Sequence, residues 1–112
     1  MPLTQFSWMA RPDEELKGLL SRIASKPNTK VVIVTTRSRA SIESMRGDVK
    51  GIEIAAENGG WLYIDGKWSQ GVAASDLSWK QEVMKIFTSF TKRTPGSYVE
   101  EKDFSIVWHY RN

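Results

Sequence analysis

Two charged side chains near the end of the sequence have a spacing that suits ligand binding. Glu100 and Lys102 stand two residues apart in a run with β-strand character. Because side chains alternate between the two faces of a strand, this spacing predicts that the carboxylate and the ammonium share a face. A hydrogen-bond acceptor beside a donor suits a ligand rich in hydroxyl groups. The alternative is an ordinary solvated strand face that binds nothing.

The longer segment from Arg93 to Arg111, which ends in Trp108-His109-Tyr110-Arg111, decides between these interpretations. It resembles a segment of the trehalose-6-phosphate phosphatases, a branch of the haloacid-dehalogenase-like (HAD) phosphatases. The resemblance implies that Glu100 and Lys102 hold sugar hydroxyls and that Arg111 lies near the phosphate.

His109 is the only histidine of the chain, and its place among aromatic residues favours a structural role over that of a catalytic base.

A second candidate site follows an apolar, β-branched run at residues 30–35. In open α/β sheets, ligands bind beyond the carboxyl ends of the strands, which is where Thr35 and Arg37 stand. The run from Val34 to Arg37 resembles the second HAD motif, and this implies that Thr35 is the phosphate-binding hydroxyl with Arg37 beside it. An ordinary turn with a surface arginine is the alternative, because Thr36 replaces the usual glycine.

A further block at residues 52–61 also resembles the family, with Asn58 where histidine is usual. Glu57 then stands on a tight turn next to Gly59. The carboxylate is a candidate site residue, and a role in orienting the turn is an equally good interpretation.

The periodicity of apolar residues predicts alternating helices and strands. Helices are predicted at 12–25, with Pro12 in the first turn, and at 79–92, where a capping box of Ser78 and Gln81 precedes an apolar face that packs as core. A shorter helix is predicted from Ser38 to Gly47, and Asp65-Gly66 predicts a hairpin. The strand at 30–35 is predicted to be covered on both faces, and an antiparallel pair at 97–102 and 104–110 to turn near Asp103.

These elements predict an α/β protein: a HAD-like partial Rossmann core plus an α+β cap in which a helix packs on antiparallel strands. Residues 1–59 are assigned to the core and 60–112 to the cap, together as one compact unit. Because the sheet lacks neighbours within this chain, we also expect Val31 to Val34 to have an exposed edge and an uncovered face.

The acidic pair that HAD phosphatases use is missing from the sequence. The resemblance calls for an aspartate nucleophile, a second aspartate two residues later as general acid and base, and Mg²⁺ held by carboxylates. The alignment of motifs puts Ser7 and Met9 at the two aspartate positions. No two of the five aspartates are two residues apart (Asp13, Asp48, Asp65, Asp76 and Asp103). We therefore predict no catalytic residues, no metal and no cofactor in this chain.

Composition excludes several other classes of function. The 112 residues carry a net charge of +3 with no cysteine, and the basic residues are interspersed with acids. This argues against nucleic-acid binding and against disulfide or thiolate–metal sites. No apolar run is long enough to cross a bilayer, so a cytoplasmic protein is expected.

The leading interpretation is a phosphatase-like pseudoenzyme with a regulatory or assembly role in trehalose biosynthesis. Its expected partners are subunits of a trehalose synthase complex, with weak binding of trehalose 6-phosphate or trehalose. The alternative is a fragment of an active, Mg-dependent trehalose-6-phosphate phosphatase or of a synthase–phosphatase fusion. A third interpretation is a sugar-binding cap that acts through Glu100 and Lys102.

Overall fold

The computed structural model describes residues 9–71 and 76–110. The elements in chain order are α1 (Glu14–Ala24), β1 (Val31–Val34), α2 (Arg39–Arg46), β2 (Ile52–Ala56), a 3₁₀ turn (Glu57–Gly59), β3 (Trp61–Ile64), β4 (Lys67–Gln70), α3 (Lys80–Arg93), β5 (Tyr98–Glu101) and β6 (Ile106–His109). The chain divides into two compact units, Met1–Ala73 (unit 1) and Ala74–Asn112 (unit 2). The predicted α/β class is confirmed.

Unit 1 is built on a four-stranded sheet in the order β1-β2-β3-β4. The first pair is parallel and the others are antiparallel. Apolar side chains from one face of the sheet, from α2 and from the loop between α2 and β2 form the core. The buried members are Ile42, Met45, Val49, Ile52, Ile54 and Ala56.

The helices of unit 1 begin at side-chain caps. Asp13 accepts a hydrogen bond from the Leu16 amide at 2.8 Å, and Ser38 accepts one from the Ser41 amide at 3.2 Å. The predicted cap at Ser38 and the end of α2 at Gly47 are confirmed. The first helix starts two residues later than predicted, because Asp13 is the capping residue and Pro12 precedes it.

The hairpin predicted from Asp65 and Gly66 is confirmed. Both residues have positive φ angles, 52° and 76°, as a tight two-residue connection between β3 and β4 requires.

The prediction that β1 is covered on both faces is wrong, whereas the expected exposed edge and face are confirmed. Among the described residues, β1 pairs with β2 alone and forms the edge of the sheet. Val32 and Val34 are 52% and 70% exposed, while Val31 and Ile33 pack against the core. A continuous apolar run indicates burial on both faces, but only sheet neighbours and covering helices provide it.

In unit 2, α3 packs on one face of the antiparallel pair β5–β6, as predicted. The indole N–H of Trp108 donates to the Thr91 hydroxyl at 3.1 Å, and the rings of Phe90 and Trp108 are 6.0 Å apart. The turn lies at Asp103 and Phe104, where the Lys102 amide donates to the Ser105 carbonyl at 2.8 Å.

Two expectations for α3 are wrong. Ser78 does not cap the helix, because its hydroxyl and amide bond to the Asp76 carboxylate and the helix starts after Trp79. The apolar face is only partly covered: Trp79, Ile86 and Phe90 are exposed. Two strands are too narrow to cover a helical face of four turns.

The boundary between the two compact units lies at residues 73 and 74. It differs from the boundary between core and cap that was predicted at residues 59 and 60. The β3–β4 hairpin belongs to unit 1 because β3 pairs with β2 along Ile54, Ala55 and Ala56. The assignment of residues 60–112 to a cap stays a prediction.

Within the described ranges, no helix is both long and apolar enough to span a membrane.

Candidate functional site

The loops that follow the parallel strands β1 and β2 are joined by backbone hydrogen bonds. The Asn58 amide donates to the Thr35 carbonyl, and the Glu57 amide donates to the Arg37 carbonyl, each at 3.0 Å. The structure therefore brings Thr35 and Arg37 beside Glu57, at the edge of the sheet where ligands bind in such folds.

Within this loop cluster, Thr35 directly follows the last residue of β1, and its role as the phosphate-binding hydroxyl stays a prediction. Its hydroxyl oxygen accepts a hydrogen bond from the Arg37 amide at 3.1 Å, which leaves the hydroxyl proton able to donate to an anion. The Arg37 guanidinium donates to the Ala10 carbonyl at 3.0 Å. Arg37 thus holds the segment that precedes α1, a role that the sequence did not indicate.

Backbone strain marks the turn after β2. Glu57 and Asn58 have φ angles of 48° and 56°, and Glu57 is only 7% exposed. Two consecutive non-glycine residues in the left-handed region are costly and persist only where the surrounding structure enforces them. The sequence left the role of Glu57 open between ligand binding and orientation of the turn. The positive φ angle shows that Glu57 is part of a strained turn, and a role in ligand binding stays a prediction. The nearby glycines were the only signal for this strain.

The second candidate region is the face of the β5–β6 hairpin that points away from α3. The strand register pairs Tyr98 with His109 and Val99 with Trp108. Because Trp108 contacts α3, alternation places Tyr98, Glu100 and His109 together on the opposite face.

On this face the carboxylate of Glu100 is engaged by His109. Glu100 Oε2 lies 2.7 Å from His109 Nε2, and the Tyr98 ring stacks on the imidazole at 4.5 Å with an interplanar angle of 17°. The sequence predicted a structural role for His109 and did not indicate this contact. The hairpin turn at Asp103 was the available signal, because it sets the register that places His109 opposite Tyr98.

Lys102 lies just beyond the end of β5. Its carbonyl accepts a hydrogen bond from Lys80 Nζ, and the residue is 9% exposed. Little of its surface is therefore accessible to a ligand in this structure, and the prediction that it shares a face with Glu100 stays a prediction. Arg111, the third residue assigned to sugar phosphate, lies outside the described residues, as does Ser7.

The donor set does not fit the Mg²⁺ ion that the HAD resemblance implies. Magnesium prefers several oxygen ligands, mostly carboxylates and water. Across residues 9–71 and 76–110, no three carboxylate or imidazole groups converge, and Glu57 is the one acid in the described loops after β1 and β2. Met9, placed at an aspartate position by the sequence motif, is exposed, and a thioether is not a ligand that Mg²⁺ prefers.

Comparison with known proteins identifies the scaffold. Residues 1–112 match the family model described as trehalose-phosphatase. The chain belongs to the trehalose-phosphatase family. A trehalose-phosphatase of Schizosaccharomyces pombe is 38% identical over 105 residues, which cover 92% of this chain and 12% of that protein.

Two solved structures from the family have the same fold. The C-terminal domain of a Candida albicans trehalose-6-phosphate phosphatase superposes with a TM-score of 0.90 at 32% identity, covering 98% of this chain and 38% of that one. The C-terminal domain of the C. albicans trehalose synthase regulatory protein gives 0.69 at 27%, covering 84% and 33%. The HAD-like fold class is confirmed, and the chain spans well under half the length of each of these relatives.

Proposed function

We propose that this chain is a non-catalytic, trehalose-phosphatase-like module with a regulatory or assembly role in trehalose biosynthesis. The observation that carries the proposal is that this chain has a candidate sugar-binding residue of the family but lacks the family's catalytic acids. The chain has part of the family's scaffold and a partly exposed carboxylate, Glu100, on the hairpin face opposite α3, but it has no Asp-x-Asp pair anywhere in its sequence.

Chemistry explains why this mismatch favours binding over hydrolysis. Hydrolysis through a phosphoenzyme in this superfamily needs a carboxylate nucleophile, a general acid and base, and a metal to neutralise the charge on the phosphoryl oxygens. The Thr35 hydroxyl accepts a hydrogen bond from the Arg37 amide and can donate to an anion, but a threonine hydroxyl is a weak nucleophile unless a general base activates it. A module of this kind binds a substrate-like ligand and does not turn it over.

The ligand that fits the proposal is trehalose or trehalose 6-phosphate, bound weakly. A few hydrogen bonds to hydroxyls must offset the ordering of the ligand, so we expect a Kd of about 1 mM. The expected protein partners are subunits of a trehalose synthase complex, in line with the C. albicans relative named as a regulatory protein. We also propose that the protein is cytoplasmic.

A phosphate-release assay tests the proposal. The purified chain is incubated with trehalose 6-phosphate and Mg²⁺, beside an active trehalose-6-phosphate phosphatase and a reaction containing EDTA. We expect phosphate release equal to the enzyme-free blank. Mg-dependent release above the blank would contradict a non-catalytic role.

The second candidate function is that of a segment of an active phosphatase. The higher TM-score and identity to the C. albicans phosphatase domain than to the regulatory domain favour it. The parent reading frame separates the two: an Asp-x-Asp-Gly-Thr motif and an acidic metal motif encoded in frame with this chain would establish the active enzyme.

A further inference from the structure

The contact between His109 and Glu100 has a consequence for the ligand. We propose that His109 is a positioning residue that holds one oxygen of Glu100 and thereby restricts the site to neutral hydroxyl donors. This inference rests on the proposed function, because it concerns how the predicted sugar-binding carboxylate is presented.

The geometry fixes both partners. Nε2 of His109 lies 2.7 Å from Oε2 of Glu100, and the parallel ring of Tyr98 restrains the plane of the imidazole. The side chains of His109 and Glu100 are 24% and 34% exposed. The pair is thus partly shielded from water but still accessible to a ligand. In such a setting a charge-assisted hydrogen bond holds the carboxylate in one orientation.

The hydrogen-bonding inventory determines what remains available. Glu100 only accepts hydrogen bonds when it is ionised, so Nε2 of His109 must carry the proton of this contact. Oε1 of Glu100 has no hydrogen bond to any described residue and is the acceptor presented to a ligand. A carboxylate without His109 would rotate freely, and a ligand would have to order it on binding.

This division of the two oxygens selects among ligands. An arginine fork or a divalent cation binds best when both carboxylate oxygens are free. In this site the imidazole N–H of His109 already donates to Oε2 of Glu100. The same ring lies beside Oε1, and it carries a positive charge when it is doubly protonated. A sugar hydroxyl donates a single hydrogen bond and needs only Oε1, so a neutral polyol fits the remaining acceptor.

Two substitutions of His109 test the proposal on the full 112-residue chain. His109→Phe keeps a ring against Tyr98 but removes the donor, whereas His109→Gln keeps a donor and removes the ring. Titration with trehalose, followed by chemical shifts at neutral pH, is expected to show up to about tenfold weaker binding for the Phe variant, because without the hydrogen bond from His109 the ligand must order the Glu100 carboxylate itself. The Gln variant is expected to stay within about threefold of the wild type, because it retains most of that hydrogen bond. Equal affinity of the Phe variant and the wild type would overturn the positioning role.

A second readout does not require a sugar. The ¹⁵N shifts of the His109 ring are expected to show a proton on Nε2, and Glu100→Gln is expected to move the Nε2 signal while the amide spectrum stays folded. An unmoved Nε2 signal would overturn the inference itself. If that signal moves but the wild type does not bind trehalose, the proposed sugar site fails, and the selectivity for polyols fails with it.

Discussion

At the scale of single residues, a charged pair on α2 contacts the β3–β4 hairpin away from the candidate site. Arg46 on α2 donates to both carboxylate oxygens of Glu43, and the indole N–H of Trp68 donates to Glu43 Oε2 at 3.1 Å. The guanidinium also lies 4.7 Å from the centre of the Tyr63 ring. These contacts fasten α2 to the β3–β4 hairpin.

The hydrogen bonds from Arg46 are the main reason why the pKa of Glu43 is lowered; burial opposes the shift and Trp68 adds to it. The same hydrogen bonds raise the pKa of Arg46. A carboxyl group whose pKa is lower in the folded state stabilises the fold above its unfolded pKa, and this stability is lost as the pH falls through the folded value.

We therefore predict that Glu43→Gln lowers the free energy of unfolding at neutral pH by about 1 kcal/mol, since the hydrogen bonds to a partly exposed carboxylate are weakened. The difference from the wild type should shrink in acid, below the ordinary carboxyl value of 4.5. Urea unfolding at a series of pH values measures both effects. Asp48→Asn, which changes an exposed carboxylate outside this network, is the control and should follow the wild type.

At the scale of elements, the end of β4 is packed against the strained turn after β2. The Gly71 amide donates to the Gly60 carbonyl at 2.8 Å, and a Cβ atom on Gly71 would lie 1.8 Å from the Gly59 carbonyl oxygen. A backbone atom cannot move away as a flexible side chain can. This close approach fixes where the turn of Glu57 and Asn58 sits.

Gly71→Ala is accordingly predicted to destabilise the chain by about 2 kcal/mol or more, because the methyl group displaces the backbone of the turn. Gly18→Ala is the matched control: it lies inside α1 with nothing within 4 Å of its would-be Cβ. Its substitution should stabilise the chain by up to about 1 kcal/mol through helix propensity. Chemical denaturation compares the two, and equal midpoints would contradict the close-approach argument.

At the scale of the whole molecule, the buried core is unevenly distributed. All six buried apolar side chains of the described residues lie in unit 1, between Ile42 and Ala56. Unit 2 has a helix on two strands, and no apolar side chain within residues 76–110 is fully buried. Two-stranded sheets have little stability of their own, so unit 2 should open more readily.

Native-state hydrogen exchange measures this difference. We expect the amides of β2 and β3 to exchange more slowly than those of β5 and β6, by about tenfold or more, since each 1.4 kcal/mol of local stability changes the opening equilibrium by that factor. Faster exchange in β2 than in β5 would contradict the assignment of the stable core to unit 1.

Sequence alone determined the features of this protein that depend on near neighbours. Asp65-Gly66 specified its hairpin because these residue types tolerate positive φ, and Ser38 specified a helix start because its hydroxyl reaches an amide three residues on. The order of helices and strands, and the presence of Glu100 in a strand, followed from the periodicity of apolar residues.

Tertiary structure decided what depends on distant partners. The run Val31 to Val34 has the composition of a central strand, yet within residues 9–71 and 76–110 β1 lies at an edge, because coverage requires neighbouring strands and helices. Ser78 bonds to Asp76 in place of capping α3, and Glu57 is held in a strained turn by the loop after β1. His109 meets Glu100 only through the register of β5 on β6, because a cross-strand contact is set by which residues the turn places opposite each other.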